Sequence, residues 1–321
     1  MENLPDIIFT KVLLEGNDTL MDVIISGDYI SSIKKHPSNT KAVKTFNCEG
    51  MLLSPPFIDP HQHLDCAYMM GDTNKSGTLA EAIKQFSEIK RQRSKTTIKN
   101  LAEKAILEGL FNGTCYIRTH VDADSLAGLK HTQSIIELKR KYSGCVDLQI
   151  VACMEYPLEQ EPDAEHYLRE ALDLGADLIG GIPEVEPTEV DASQHIELIF
   201  RIAKDYDVDI DMHIDETLDP SVRTLEMLAE KTMEEDYQGR VTAGHACALA
   251  AYEEAYARKV IDMVAEAEIN IITNPLTNLY LQGRKDGTPI RRGITLVKEL
   301  INVGVNVSCG LADNGNLCLS Y

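Results

Sequence analysis

From Met51 onward the chain alternates short apolar runs with longer amphipathic segments, and it does so eight times. That rhythm is the mark of strand–helix units joined into a parallel sheet, and it leaves few folds open. The apolar runs lie near 53–59, 115–119, 148–153, 177–182, 209–213, 240–244, 269–273 and 305–309. Between them, 79–110, 196–203, 222–233, 250–267 and 295–300 carry apolar residues at helical spacing. Eight such units predict an α/β chain with a (β/α)8 TIM barrel over 53–321, whose chemistry sits where the strands end. Residues 1–52 read differently. Apolar and polar positions alternate through 22–33 around a Gly27-Asp28 turn, which predicts a small N-terminal β-sandwich module.

Behind the eighth strand only Asp313 to Tyr321 remain, too few for the helix that should cover it. The barrel is therefore expected to be truncated there. Apolar surface left bare would lower stability or drive assembly into a homo-oligomer.

Charge narrows the partners. The sequence has 31 Lys and Arg against 51 Asp and Glu, a formal net charge of −20 that repels phosphate backbones and anionic lipid heads. Neither nucleic acid nor a membrane is expected as partner. No apolar run reaches the ~20 residues that span a bilayer, and the first residues lack a signal-peptide pattern, which assigns the chain to the cytoplasm. The eight cysteines contain no C-x-x-C pair, which argues against a disulfide framework or a zinc knuckle. No glycine-rich phosphate loop is present.

The most informative segment is Asp59-Pro60-His61-Gln62-His63, because an H-x-H pair at a strand end turns both imidazoles to one face, where they can grip one metal. Further candidates stand at later strand ends. His213 and Glu216 follow the fifth strand, His245 the sixth, and Asp313 the eighth. His120 ends the second strand, where it either supports a metal site or is structural. His131, His166 and His195 fall on helices or loops and are expected to be solvated.

The order H-x-H, H-x-x-E, H, D resembles the cytosine deaminase branch of the amidohydrolase superfamily. So do Arg118-Thr119-His120-Val121-Asp122, Asn274-Pro275-Leu276, Leu281-Gln282-Gly283-Arg284 and Arg292-Gly293-Ile294-Thr295. The resemblance implies a metal-dependent hydrolase in which His61, His63, His213 and Asp313 bind one divalent metal ion, zinc or iron. Glu216, His245 and Asp313 would then be catalytic, and Glu155 and Gln282 would bind a small heterocyclic substrate. Two-metal members of the superfamily use a carboxylated lysine after strand four. No lysine lies between Lys141 and Lys204, so a single-metal site is expected.

In such a site Glu216 would carry a proton from water to the ring nitrogen, His245 would stabilise the developing oxygen charge, and Asp313 would help pass a proton to departing ammonia. One position departs from the family: Glu155 stands where cytosine deaminases carry a glutamine. An ionised carboxylate only accepts hydrogen bonds, so the facing substrate edge should offer N–H groups unless Glu155 is protonated. Plain cytosine is therefore not expected to be the best substrate. The resemblance also admits hydrolysis of a cyclic amide or an N-substituted amino-triazine, and a different class remains open, an inactive fragment that keeps only a metal or ligand pocket.

Overall fold

The computed structural model describes residues 4–69, 74, 76–284, 286–288 and 292–312. It divides into two compact units, Met1–Pro56 and Phe57–Tyr321.

The first unit is a four-stranded sheet of β1 (Ile7–Leu14), β2 (Asn17–Ser26), β3 (Tyr29–Lys35) and β4 (Lys44–Asn47), in the order β3-β2-β1-β4. The β2–β3 hairpin closes with Ser26 opposite Tyr29. Gly27 takes φ +59° in that two-residue turn, the conformation a type II′ hairpin demands of its first central residue. Ile8, Val12, Val23 and Ile24 are the buried apolar side chains of the sheet.

The second unit is built from parallel strands and covering helices. In chain order these are β5 (Phe57–Gln62), α1 (Leu79–Lys90), α2 (Lys95–Phe111), β6 (Thr114–Asp122), α3 (Lys130–Lys141), β7 (Asp147–Met154), α4 (Ala164–Leu174), β8 (Leu178–Gly181) and α5 (Glu189–Tyr206). Then come β9 (Asp209–Ile214), α6 (Thr224–Glu234), β10 (Val241–His245), α7 (Glu254–Glu266), β11 (Asn270–Thr273), α8 (Pro275–Leu281), α9 (Val297–Asn302) and β12 (Val307–Cys309). Strands β5 to β12 lie side by side in sequence order, all parallel. The ring closes where the Ala312 N–H donates to the His61 carbonyl at 2.7 Å and Gln62 bridges to Ala312. All eight expected strands form, and the TIM barrel is the fold.

Local chemistry explains the helix ends. The segment expected as one helical stretch over 79–110 is broken into α1 and α2, because Ser94 takes an extended backbone and its side chain caps α2 by accepting from the Thr97 N–H. Thr188 caps α5 in the same way, accepting from Asp191. Helix α5 buries Ile196, Ile199, Phe200 and Ala203, one face at helical spacing, into a core that includes Ile150, Ile210, Met212 and Val241. Burial of each such aliphatic side chain is worth roughly 1.5–3 kcal/mol.

Two expectations about histidines fail. His131 and His195 are fully buried, not solvated. Each ring faces a carboxylate, His131 Nδ1 at 3.0 Å from Asp65 and His195 Nδ1 at 2.8 Å from Glu186, which satisfies a polar group that burial would otherwise penalise. His166 is exposed as expected. No disulfide joins the described cysteines, and among the described residues no helix is long and apolar enough to cross a membrane.

Candidate active site

The carboxyl ends of β5, β6, β9 and β10 bring five imidazoles together. His61 and His63 stand two residues apart at the end of β5, so the pleat aims both at the barrel axis. The fit around His61 is tight. A Cβ on Gly310 would lie 2.7 Å from the His61 Cβ and 2.4 Å from Asn274 Oδ1, so only glycine passes there. His120 of β6 and His213 of β9 complete a cluster in which His61, His63, His120 and His213 each offer one nitrogen, all within 4.8 Å of one another.

Several observations show that this cluster fits a metal cation. His63 Nε2 and His213 Nε2 lie 3.0 Å apart. Among the described residues, both nitrogens of His61, Nδ1 of His120 and Nδ1 of His213 are buried with no hydrogen-bond partner. Leaving a buried lone pair unmatched costs about 1–3 kcal/mol, and a cation would match one nitrogen of each ring. The rings are also in the right charge state. Burial, and then repulsion from neighbouring imidazoles, holds His61 and His213 well below the usual histidine value, and burial with His120 lowers His63 to about 3. Neutral imidazole is the form that binds metal.

The fourth ring is oriented from behind. Asp211, buried in β9, lies 3.2 Å from His120 Nε2 and also accepts from Arg118 Nη1 at 2.7 Å. Because the carboxylate can only accept, the proton facing it is on Nε2, so Nδ1 is the nitrogen of this ring that would offer a lone pair to a metal. His120 thus sits within the cluster, while Asp313, expected as a ligand and catalytic group, lies outside the described residues.

Beside the cluster stands an acid–base pair. Glu216 Oε1 lies 3.1 Å from His245 Nδ1 and accepts from Asn278 Nδ2 at 3.0 Å. Asn274 Nδ2 lies 3.2 Å from His245 Nε2 and donates to it, which leaves the proton on Nδ1 facing the carboxylate. Burial works against a charged His245, but Glu216 outweighs it, so the ring's pKa is raised. Non-glycine residues rarely take positive φ, yet His245 (+70°) and Ala246 (+49°) do so consecutively where β10 ends. The backbone of Glu216 is pinned as well. Its N–H donates to Glu184 Oε1 at 2.7 Å, and its carbonyl accepts from Gln282 Nε2 at 2.7 Å.

His63, His213, Glu216, His245 and Glu155 line one cavity of about 570 Å³ including its mouth, with Leu79, Ala82, Ile83 and Phe86 of α1 forming an apolar wall. Glu155, just past β7, lies 3.9 Å from His63 Nδ1. Burial, and then the nearby Asp122, push its carboxyl well above the ordinary range, although Lys90 opposes them. Glu155 therefore holds its proton more tightly than an ordinary carboxyl, and in the protonated form it can donate as well as accept. Gln282, expected to bind substrate, is not on this wall. Helix α8 ends at Leu281, and the extended Gln282 spends its amide on the Glu216 carbonyl and lines the groove outside.

Sequence reasoning assigned no role to Asn274 and Asn278, although it singled out Asn274-Pro275-Leu276. The available signal was Asn-Pro directly behind a barrel strand, since a proline in the first turn starts a helix at the rim and aims that turn inward.

The sequence profile of the amidohydrolase family matches residues 112–317. The chain belongs to the amidohydrolase family. This amidohydrolase is 29% identical over 279 residues to an N-isopropylammelide isopropyl amidohydrolase of Pseudomonas sp. (strain ADP), a match covering 84% of this chain and 68% of that protein. It is 30% identical over 289 residues to a pterin deaminase of Rhizobium rhizogenes, covering 88% of this chain and 65% of that one. The chain thus spans about two thirds of the length of these relatives. The crystal structure of a 5-methylcytosine deaminase from Klebsiella pneumoniae liganded with 5-fluorocytosine superposes with a TM-score of 0.92 at 31% identity, covering 97% of this chain and 76% of that one. The cytosine deaminase-like branch expected from the motifs is therefore the right one, and the amidohydrolase is a hydrolase of carbon–nitrogen bonds in cyclic compounds.

One stability effect follows from the site. Burial, and then repulsion from Asp215 and Glu216, push Glu184 up to about 8, and its Oε2 is buried without a partner among the described residues. In the unfolded chain this carboxyl titrates near 4.5. A raised folded pKa means that the fold is most favoured below about 4.5 and loses stability progressively as pH rises from there to about 8, above which the loss is complete. Glu184→Gln keeps an acceptor for the Glu216 N–H without the charge. Its melting temperature is expected to exceed the wild type by about 2–4 °C at pH 9 and to match it at pH 5. Differential scanning calorimetry at both values decides; an equal gain at pH 5 would make the effect one of packing.

Proposed function

We propose that this amidohydrolase is a metal-dependent hydrolytic deaminase of a nitrogen heterocycle, replacing an exocyclic amino group with oxygen and releasing ammonia. The observation that carries the reading is the Glu216–His245 pair, 3.1 Å apart, on the same cavity wall as His63 and His213. His61, His63 and His213, with His120 beside them and Asp313 by family resemblance, would hold one zinc or iron ion. When bound, such a cation lowers the pKa of water to about 7 and so supplies hydroxide at neutral pH.

The remaining work falls to the chain's own side chains. Glu216 takes the proton lost by the attacking water and delivers it to the ring nitrogen next to the reacting carbon. The amide of Asn278 and the two backbone bonds hold that carboxylate still, so proton transfer runs along a fixed line. His245 turns its Nδ1 proton towards Glu216, and once Glu216 has taken up the water proton that N–H is free to turn to the negative charge developing on the incoming oxygen. As the carbon–nitrogen bond breaks, the amino nitrogen takes up the second water proton and leaves as ammonia. In its protonated form, which burial favours, Glu155 offers the ring edge both a donor and an acceptor, as an amide would.

A second reading, hydrolysis of an N-substituted amino group, is favoured by one feature. Leu79, Ala82, Ile83 and Phe86 give the cavity an apolar wall that suits an alkyl substituent.

Both readings are tested by loading the protein with zinc or ferrous iron and incubating it with cytosine, 5-methylcytosine, pterin and N-isopropylammelide. Ammonia from at least one ring is expected, with cytosine not the fastest, and isopropylamine from the last would establish the second reading. A fully metal-loaded protein that releases no amine from any of the four would refute both.

A further inference from the structure

The apolar wall of the cavity is one face of α1, and that helix is only lightly attached to the rest of the molecule. Its buried residues Ala82 and Phe86 join Cys66, Met69 and the half-buried Ile89 in a small cluster separate from the main core. Five side chains of this kind supply a fraction of the packing that holds the other helices. Another attachment is needed.

It stands on the same face, one turn further along. Ala82, Phe86 and Lys90 are spaced four apart, so the stripe that lines the cavity ends on a lysine. Lys90 is 0% exposed, among the largest wholly buried side chains in the protein. Its ammonium donates to Asp122 Oδ2 at 2.6 Å and to Asp124 Oδ2. It also lies 4.5 Å from the centre of the Tyr156 ring and 5.2 Å from that of Phe86. Tyr156 returns to the helix through a hydrogen bond of 2.8 Å between its hydroxyl and Ser87 Oγ. Asp122 is the last residue of β6, two positions beyond His120. The helix wall and the imidazole cluster are thereby tied to one strand end.

We infer that Lys90 is a positioning residue that fixes α1 over the cavity through Asp122 and Asp124, and thereby sets the space left for the substrate ring. The assignment rests on the reading of the cavity as the substrate site. Burying an ammonium is costly unless it is paired. With two carboxylates in contact and an aromatic face above it, the charge becomes a directional clamp that an apolar side chain could not reproduce. Burial alone would lower the Lys90 pKa, but Asp122 and Asp124 raise it well above the ordinary value, consistent with a permanently charged anchor. Loosening the clamp should let α1 move outward. Contact between the ring and Leu79, Ile83 and Phe86 would be lost, while Glu216 and His245 stay where β9 and β10 hold them.

The test is Lys90→Met in the full chain, with Lys90→Met/Asp124→Asn as a second variant that lowers the charge left behind should the single one not fold. Hydrogen exchange followed by mass spectrometry is expected to show peptides over 79–90 exchanging roughly tenfold faster, with the barrel strands unchanged. On whichever ring the metal-loaded protein turns over, KM is expected to rise about tenfold with kcat within about threefold of wild type. Unchanged exchange over 79–90, or faster exchange with unchanged KM, overturns the inference, as does global unfolding of both variants. Exchange needs no turnover, so a failed anchor and a failed deaminase reading are told apart.

Discussion

Replacing Glu216 with glutamine is expected to lower kcat by about 10³–10⁴-fold, at the upper end of what one acid–base group contributes, while leaving metal content and melting temperature close to wild type. The size of the effect follows from how little else the substitution changes. The Glu216 backbone is held at both ends, its N–H by Glu184 and its carbonyl by Gln282, so the side chain at this position stays on the cavity wall. Glutamine keeps an oxygen for the Asn278 amide. What it cannot do is take a proton from water and give it back. A second consequence separates this role from a structural one. Glu216 is the strongest influence raising the His245 pKa against burial, so the glutamine variant should also lower the His245 titration seen by NMR. Turnover within tenfold of wild type would remove Glu216 from the chemistry.

The parts of the fold that were legible in the sequence are those set by local pattern. The eight strands announce themselves because barrel strands buried on both sides are apolar runs, as in β7, where Ile150 to Met154 are all buried. Helices α3, α4 and α8 were less visible. In α3 the buried side includes His131, Thr132 and Ser134, polar residues that hide the apolar stripe. The break between α1 and α2 turns on a capping serine inside a stretch that otherwise reads as helix throughout.

At the site, H-x-H was legible because strand geometry guarantees that i and i+2 share a face. His120 was ambiguous for the opposite reason. Whether it is a ligand or a buried prop depends on His61, 4.3 Å away between ring centres, and on Asp211, 91 positions along the chain. A separation of 66 positions likewise concealed the pairing of His131 with Asp65 and made a buried histidine look solvated. Glu155 shows the limit most clearly. The residue type alone fixes neither its charge nor its hydrogen-bonding capacity, which depend on burial and on Asp122 and Lys90 from other elements.

Replacing His213 with asparagine is expected to strip the protein of its metal and abolish turnover on every ring tested. Apparent zinc-binding energies of about 10–16 kcal/mol shared among four ligands amount to about 2.5–4 kcal/mol each, or about 10²–10³-fold in affinity for one ligand lost. Emission spectrometry of the purified variant reads the metal content directly. His120→Asn provides the contrast. If His120 only supports the site through Asp211, its loss should weaken metal binding by about 10–100-fold without abolishing it at saturating metal.

The same cluster makes a prediction about acid. In the unfolded chain His61, His63 and His213 take up protons near pH 6.5, whereas in the metal-free fold His63 does so only near 3 and the other two rings are held well below 6.5. Their depressed folded values favour the unfolded state progressively as pH falls below 6.5. Metal bound to the fold opposes this by mass action. Chelated protein should therefore lose its melting transition at a higher pH than loaded protein, and His213→Asn should behave like the chelated form whether or not metal is added. If His213→Asn instead retains a full complement of tightly bound metal, these imidazoles are not its seat, and the unmatched nitrogens of His61 require another explanation.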